Sequence, residues 1–103
     1  MNYQEEERRL LKEDEFRKFY HQYIQRPDKI EYLYQCLDGR AMTITHACNI
    51  FTKITNEEQR FQAVLDWVPL IRNLSSCREW FANTVFHSKV LRYRFLREVG
   101  ALL

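Results

Sequence analysis

Apolar side chains at offsets 0, 3, 4 and 7 return throughout this chain, and that spacing puts four of them on one face of an α-helix. Phe16, Phe19, Tyr20 and Tyr23 form the first such stripe, Ile30, Leu33, Tyr34 and Leu37 the second, Ile44, Ala47, Cys48 and Phe51 the third, and Phe61, Val64, Leu65 and Val68 the fourth. A fifth is partial: Cys77, Trp80 and Phe81 lie on it, Thr84 interrupts it and Val85 stands beside it. The sixth drifts through Leu91, Phe95, Val99 and Leu102 while keeping to one face.

Boundary chemistry agrees with these stripes. A capping side chain three residues ahead of a Glu satisfies two backbone N–H groups that a first helical turn leaves orphaned. Asp28 with Glu31, Thr55 with Glu58 and Ser76 with Glu79 read as such boxes, and Thr43 and Ser88 as plain N-caps. Gly39 and Gly100 fall where a left-handed residue ends a helix. Pro69 interrupts the run from Val68 to Ile71 and predicts an end or a kink in the fourth helix. Helices are expected near 13–25, 28–38, 44–53, 56–68, 76–85 and 88–99. The short loops pair them as three antiparallel hairpins. Ile30, Phe61 and Leu91 recur at intervals of 31 and 30 residues, the period of a helical-hairpin repeat. The expected fold is therefore all-α, six short helices in an α-solenoid-like arrangement, with a closed six-helix bundle as the alternative. Residues 1–12 read as a charged N-terminal arm or lead-in helix and 13–103 as one domain.

Composition narrows the chemistry. With two glycines and two prolines in 103 residues there is no Gly-rich phosphate loop, and 46% hydrophobic with 15% aromatic residues is too apolar for a disordered chain. Cys36, Cys48 and Cys77 are odd in number and widely spaced, which fits neither a disulfide framework nor a zinc site. Reduced thiols, the lack of a membrane-spanning apolar run and the charged start MNYQEEERRLLKEDE point to an intracellular protein, cytoplasmic or nuclear, away from membranes. Asn73-Leu74-Ser75 matches a glycosylation acceptor but is read as a turn between helices.

No residues declare themselves catalytic, cofactor-binding or metal-ligating. His46 and Cys48, two positions apart on a helix, point to different faces, the thiol inward and the imidazole outward. His21 and His87 read as surface or turn residues, Ser75, Ser76 and Ser88 as turn and cap residues, and Glu57-Glu58 as favourable charges in a first helical turn. The chain is accordingly expected not to be an enzyme and to need no cofactor.

Charge is the uneven feature. Residues 1–71 hold ten Lys/Arg against twelve Asp/Glu, net −2, whereas residues 72–103 hold six against two, net +4. On the last helix Lys89, Tyr93, Arg94 and Arg97 share an arc roughly opposite the Leu91–Phe95–Val99–Leu102 stripe. Trp80, on its stripe, is expected in the core. Trp67 lies at the margin of the fourth apolar arc, where an indole can be half exposed, as interface aromatics often are. Trp67, Lys89, Tyr93, Arg94 and Arg97 are thus the candidate interaction residues. The expected function is a protein-interaction or adaptor module, monomeric or a weak dimer, with another protein as partner. One alternative is binding of nucleic acid or an acidic surface through the basic last helix, and another is a small helical inhibitor of an enzyme.

From Met42 to Val99 the chain resembles a helical domain of unknown function found in proline- and serine-rich proteins and in several bacterial secreted proteins. The run Thr45-His46-Ala47-Cys48-Asn49-Ile50-Phe51-Thr52-Lys53-Ile54 carries the resemblance, followed by Arg60-Phe61 with Leu65 and Ile71, Trp80-Phe81, Val85-Phe86 and Lys89-Val90-Leu91. The turn from Ile54 to Arg60 is longer than in that family, and Arg72 stands where an acidic residue is usual. The resemblance implies a repeat of helical hairpins used as an accessory or interaction domain, with no catalytic residue to carry over.

Overall fold

A computed structural model describes residues 10–102. Among them are six α-helices: α1 Glu13–Tyr23, α2 Lys29–Leu37, α3 Ile44–Phe51, α4 Glu57–Trp67, α5 Leu74–Val85 and α6 Lys89–Leu102. A 3₁₀ turn, Val68–Leu70, holds Pro69 directly after α4, so the proline does end that helix. No strand occurs among the described residues. The protein is all-α, as its periodicity predicts.

Helix ends follow cap chemistry, though with different residues from those expected in three cases. Thr43 Oγ1 accepts the His46 amide at 3.1 Å and Ser88 Oγ the Leu91 amide at 3.3 Å, as anticipated. For α4 the cap is Asn56 rather than Thr55: its side chain accepts the Gln59 amide at 3.0 Å. Asp28 precedes α2 but its carboxylate is taken by Arg26 at 2.8 and 3.0 Å, which leaves it no capping bond. The Ser76 box is absent because α5 begins earlier, at Leu74, with a non-helical Cys77 (φ −128°) inside it. Ser76 Oγ instead donates to the Asn73 carbonyl at 3.1 Å. Gly39 is left-handed (φ 74°) as a helix terminator should be, whereas Gly100 lies within α6, which runs on to Leu102. The other left-handed residue is Asn73 (φ 64°), one of the few types that tolerates that region.

Within the chain α1 packs on α2, α3 on α4 and α5 on α6, and α3 and α4 also pack on α5 and α6 respectively. The earlier neighbours are joined by specific contacts. Phe16 of α1 stacks on His46 of α3 at 4.0 Å, Tyr23 Oη donates to the Ile50 carbonyl at 2.7 Å, and Tyr34 of α2 meets Trp67 of α4 at 4.9 Å. The molecule measures 36 × 34 × 18 Å, and the thin dimension matches two helices at about 10 Å each. The segments leading into α1, α3 and α5 lie side by side through two parallel bridges, Leu10 with Ala41 and Met42 with Ile71. Chain direction is therefore the same at the entrance of each hairpin. Residues 1–9 of the expected arm lie outside the described residues. Leu10 and Leu11, the end of that arm, pack on the domain, with Leu11 buried and its amide bound to the Ala41 carbonyl at 2.7 Å.

The core is aromatic and aliphatic: Tyr23, Leu33, Ile50, Phe51, Phe61, Phe81, Phe86 and Phe95 are fully enclosed. Two polar groups enter it. His46 is buried, not turned outward as its spacing from Cys48 suggested, because the Phe16 ring covers it and Glu13 Oε2 reaches its Nε2 at 2.8 Å. Arg60 is buried as well. Its guanidinium donates to the Ile54 carbonyl at 2.9 and 2.7 Å and to the Val85 carbonyl at 2.5 Å, with Glu57 at 3.7 Å. One cation thus satisfies carbonyls of the α3–α4 turn and of the last residue of α5.

Candidate interaction face of the last hairpin

The five candidate interaction residues separate in the structure. Trp67 is only 2% exposed, wedged between Phe51 and Tyr34, so it belongs to the core and presents nothing to a partner. Its Pro69-terminated helix ends against the body of the protein, which removes the marginal position that helical spacing gave it. Arg94 is half-buried and already engaged: its guanidinium lies 4.6 Å above the Phe61 ring and 3.3 Å from Glu58. Lys89, Tyr93 and Arg97 remain at the surface.

These three stand at positions i, i+4 and i+8 of α6, which form one line along a helix. Arg97 leans over the Tyr93 ring at 6.0 Å. Val90, one residue round from Lys89, is as exposed as Tyr93, both at 67%. Sequence reasoning missed Val90, yet its place off the Leu91–Phe95–Val99 stripe was the available signal. Trp80, expected in the core, is 54% exposed. The buried arc of α5 is Phe81, Ala82 and Val85, rotated from the stripe that Cys77 and Trp80 suggested. At 100° per residue Phe81, Ala82 and Val85 share an arc centred nearly opposite Trp80, so burying that arc turns the indole outward, and the break at Cys77 shifts only the phase of the residues before it. Four of the five large apolar residues left most exposed, Trp80, Val90, Tyr93 and Leu102, sit on this one hairpin.

The positive charge of the region is spent unevenly. Arg92 donates to the carbonyls of Phe86 at 2.7 Å and His87 at 3.0 Å, closing the C-terminal end of α5. Arg94 is paired with Glu58. Lys89 and Arg97 have no carboxylate within ion-pair distance among the described residues and flank Tyr93 in solvent.

Elsewhere the surface has two shallow hollows that adjoin at Ile30 and Gln59. One, of about 330 Å³, lies between the start of α2 and the α3–α4 turn, lined by Asp28, Lys29 and Lys53 among others. The second, of about 320 Å³, runs between α2 and α4 over Tyr34 and Ala63. Neither brings together groups with a shared chemical task. No cluster of three potential metal ligands exists among the described residues. Cys48 is enclosed, and burial pushes its thiol up to about 11, which leaves little thiolate at neutral pH. No helix among the described residues is long and apolar enough to cross a membrane. Compared with protein-family models, with curated proteins and with solved structures, the chain gives no match in any of the three.

Proposed function

We propose that this domain is a non-enzymatic protein-interaction module and that its contact face is the outer side of α6 within the last hairpin. One observation carries the reading: large apolar side chains that the rest of the fold encloses are left in solvent on this hairpin, among cations. An exposed Tyr with Arg beside it is the composition of an interface hot spot rather than of ordinary surface. Binding of nucleic acid is the poorer fit. Two of the six cations of residues 72–103 are already satisfied by Phe86, His87 and Glu58, and each phosphate neutralised adds only about −0.9 to the log–log salt slope on duplex DNA.

Site-specific photocrosslinking tests this. A photoreactive side chain at Tyr93 is expected to capture a protein in cells and to do so after nuclease treatment, while the same group at exposed Gln62 of α4 captures nothing comparable. Equal capture at both positions, or loss of the Tyr93 adduct on nuclease treatment, would count against the proposal.

A further inference from the structure

Resting on that reading, the geometry points to an acidic amphipathic helix as the element that lies along α6. The first argument is directional. Lys89, Tyr93 and Arg97 form a single row, and eight residues of helix rise about 12 Å, so the two cations bracket the aromatic ring at roughly that separation. Rows at i±4 are the ridges by which one helix packs into the grooves of another. A β-strand partner gains little here, because it needs an open sheet edge to pair with, and the backbone of α6 is closed by its own helical bonds.

The second argument is charge. Neighbouring Arg92 and Arg94 are satisfied from within the protein, but Lys89 and Arg97 are not paired with any carboxylate among the described residues. Residues 72–103 carry net +4, and their two carboxylates, Glu79 and Glu98, form no ion pair with this row. The complementary partner places carboxylates seven or eight residues apart on its own helix, about 10–12 Å, with apolar side chains between them to cover Tyr93 and Val90.

Gly100 supplies a third, independent observation. It continues the same line seven residues beyond Tyr93, sits inside a helix, and a Cβ built on it would meet nothing within 4 Å. A helical Gly costs about 1 kcal/mol relative to Ala, and nothing in this fold requires the missing Cβ. The open space there would let a facing helix approach closely.

The test uses the full chain labelled for NMR and two synthetic amphipathic helices of about 18 residues, long enough to hold helical structure on a surface. One carries Leu at i, i+3, i+4 and i+7 with Glu flanking the apolar stripe, and the other has Lys in place of every Glu. The acidic peptide is expected to shift amides from Lys89 to Gly100, with affinity falling at least tenfold in Lys89→Glu/Arg97→Glu and also in Tyr93→Ala. Both variants should keep the parent circular dichroism spectrum, since all three side chains are exposed. Equal or tighter binding of the Lys peptide on this same face would overturn the acidic partner while leaving the interaction face standing. Acidic-peptide shifts confined to the hollows between α2 and α4 would sink both. If neither peptide binds while Tyr93 still crosslinks a protein in cells, the acidic-helix inference alone is lost.

Discussion

The middle and last hairpins are built from similar stripes but use them differently. In α3–α4 nearly every large apolar residue is enclosed, including Ile50, Phe51, Ile54, Phe61 and Trp67, because both of its sides have neighbours. In α5–α6 the inward arc is just as tightly packed, with the Phe95 ring 5.7 Å from Phe81 and 5.5 Å from Phe86, yet Trp80, Val90 and Tyr93 stand outside. The last hairpin therefore has a complete core face and a second apolar set besides. Exposure there reflects additional apolar residues on the far side and not a badly filled core.

That contrast can be broken by mutation, beginning with the middle hairpin. Phe61→Ala removes a fully enclosed ring that touches Phe86 and carries Arg94 above it, and it should destabilise by about 3–5 kcal/mol in a denaturant melt. A loss below about 1 kcal/mol would mean that the middle hairpin is no more the centre of the core than the last.

Arg60→Met keeps much of the aliphatic stem but strands the Ile54 and Val85 carbonyls, with an expected loss of about 2–3 kcal/mol from charge-assisted hydrogen bonds. At the junction of α1 and α3, Tyr23→Phe deletes only the hydroxyl that reaches the Ile50 carbonyl and should cost about 1 kcal/mol. A Tyr23→Phe change more damaging than Arg60→Met would reverse the order of importance of the two junctions.

Acid titration probes the first hairpin. The hydrogen bond from His46 holds the Glu13 carboxyl below its ordinary value, that from Arg40 does the same for Glu15, and that from Arg26 for Asp28. A carboxylate depressed in the native state stabilises it at pH values above its unfolded pKa, and that contribution fades as pH falls through the lowered native value. Stability should decline as pH drops past 4.5, the ordinary value for Glu, and the combined Glu13→Gln, Glu15→Gln, Asp28→Asn variant should decline less steeply. An unchanged acid limb in urea melts at several pH values would show that these pairs do not contribute.

The smallest effect is expected on the face proposed for binding. Val90→Ser and Tyr93→Ser should each move stability by no more than about 0.5 kcal/mol, as exposed substitutions usually do. A large loss at either would assign that side chain to the fold.

The fold class was legible from the sequence because helical stripes record a local property, the angle of 100° between successive side chains. Phe16, Phe19, Tyr23, Leu33, Phe51, Phe61 and Phe95 all face inward as the stripes require. Local patterns could not show which polar groups tertiary contacts would enclose. His46 is buried by a ring thirty residues earlier in the chain, and Arg60 is held by carbonyls of the α3–α4 turn and of the end of α5. The two tryptophans exchanged their expected places for the same reason: Trp67 is enclosed by Phe51 and Tyr34 from other helices, and α5 buries the Phe81–Ala82–Val85 arc, which leaves Trp80 on the opposite side. Of the candidate face, Lys89, Tyr93 and Arg97 were readable as lying opposite a stripe, whereas the engagement of Arg94 depends on Glu58, thirty-six residues away.

The Arg60 clamp has a consequence for how binding would be felt elsewhere in the molecule. Its guanidinium keeps its charge at any physiological pH and holds the Ile54 and Val85 carbonyls at once, so detaching the last hairpin would break one charge-assisted hydrogen bond of the clamp. Together with the packing of α3 on α5 and of α4 on α6, this bond leads us to expect that opening of α5–α6 weakens the middle hairpin as well. A ligand seated on α6 is then expected to stabilise more of the domain than the hairpin it touches. At a hundred times its Kd it would add about 2.7 kcal/mol to global unfolding, raising one melting transition and slowing amide exchange as far away as α3.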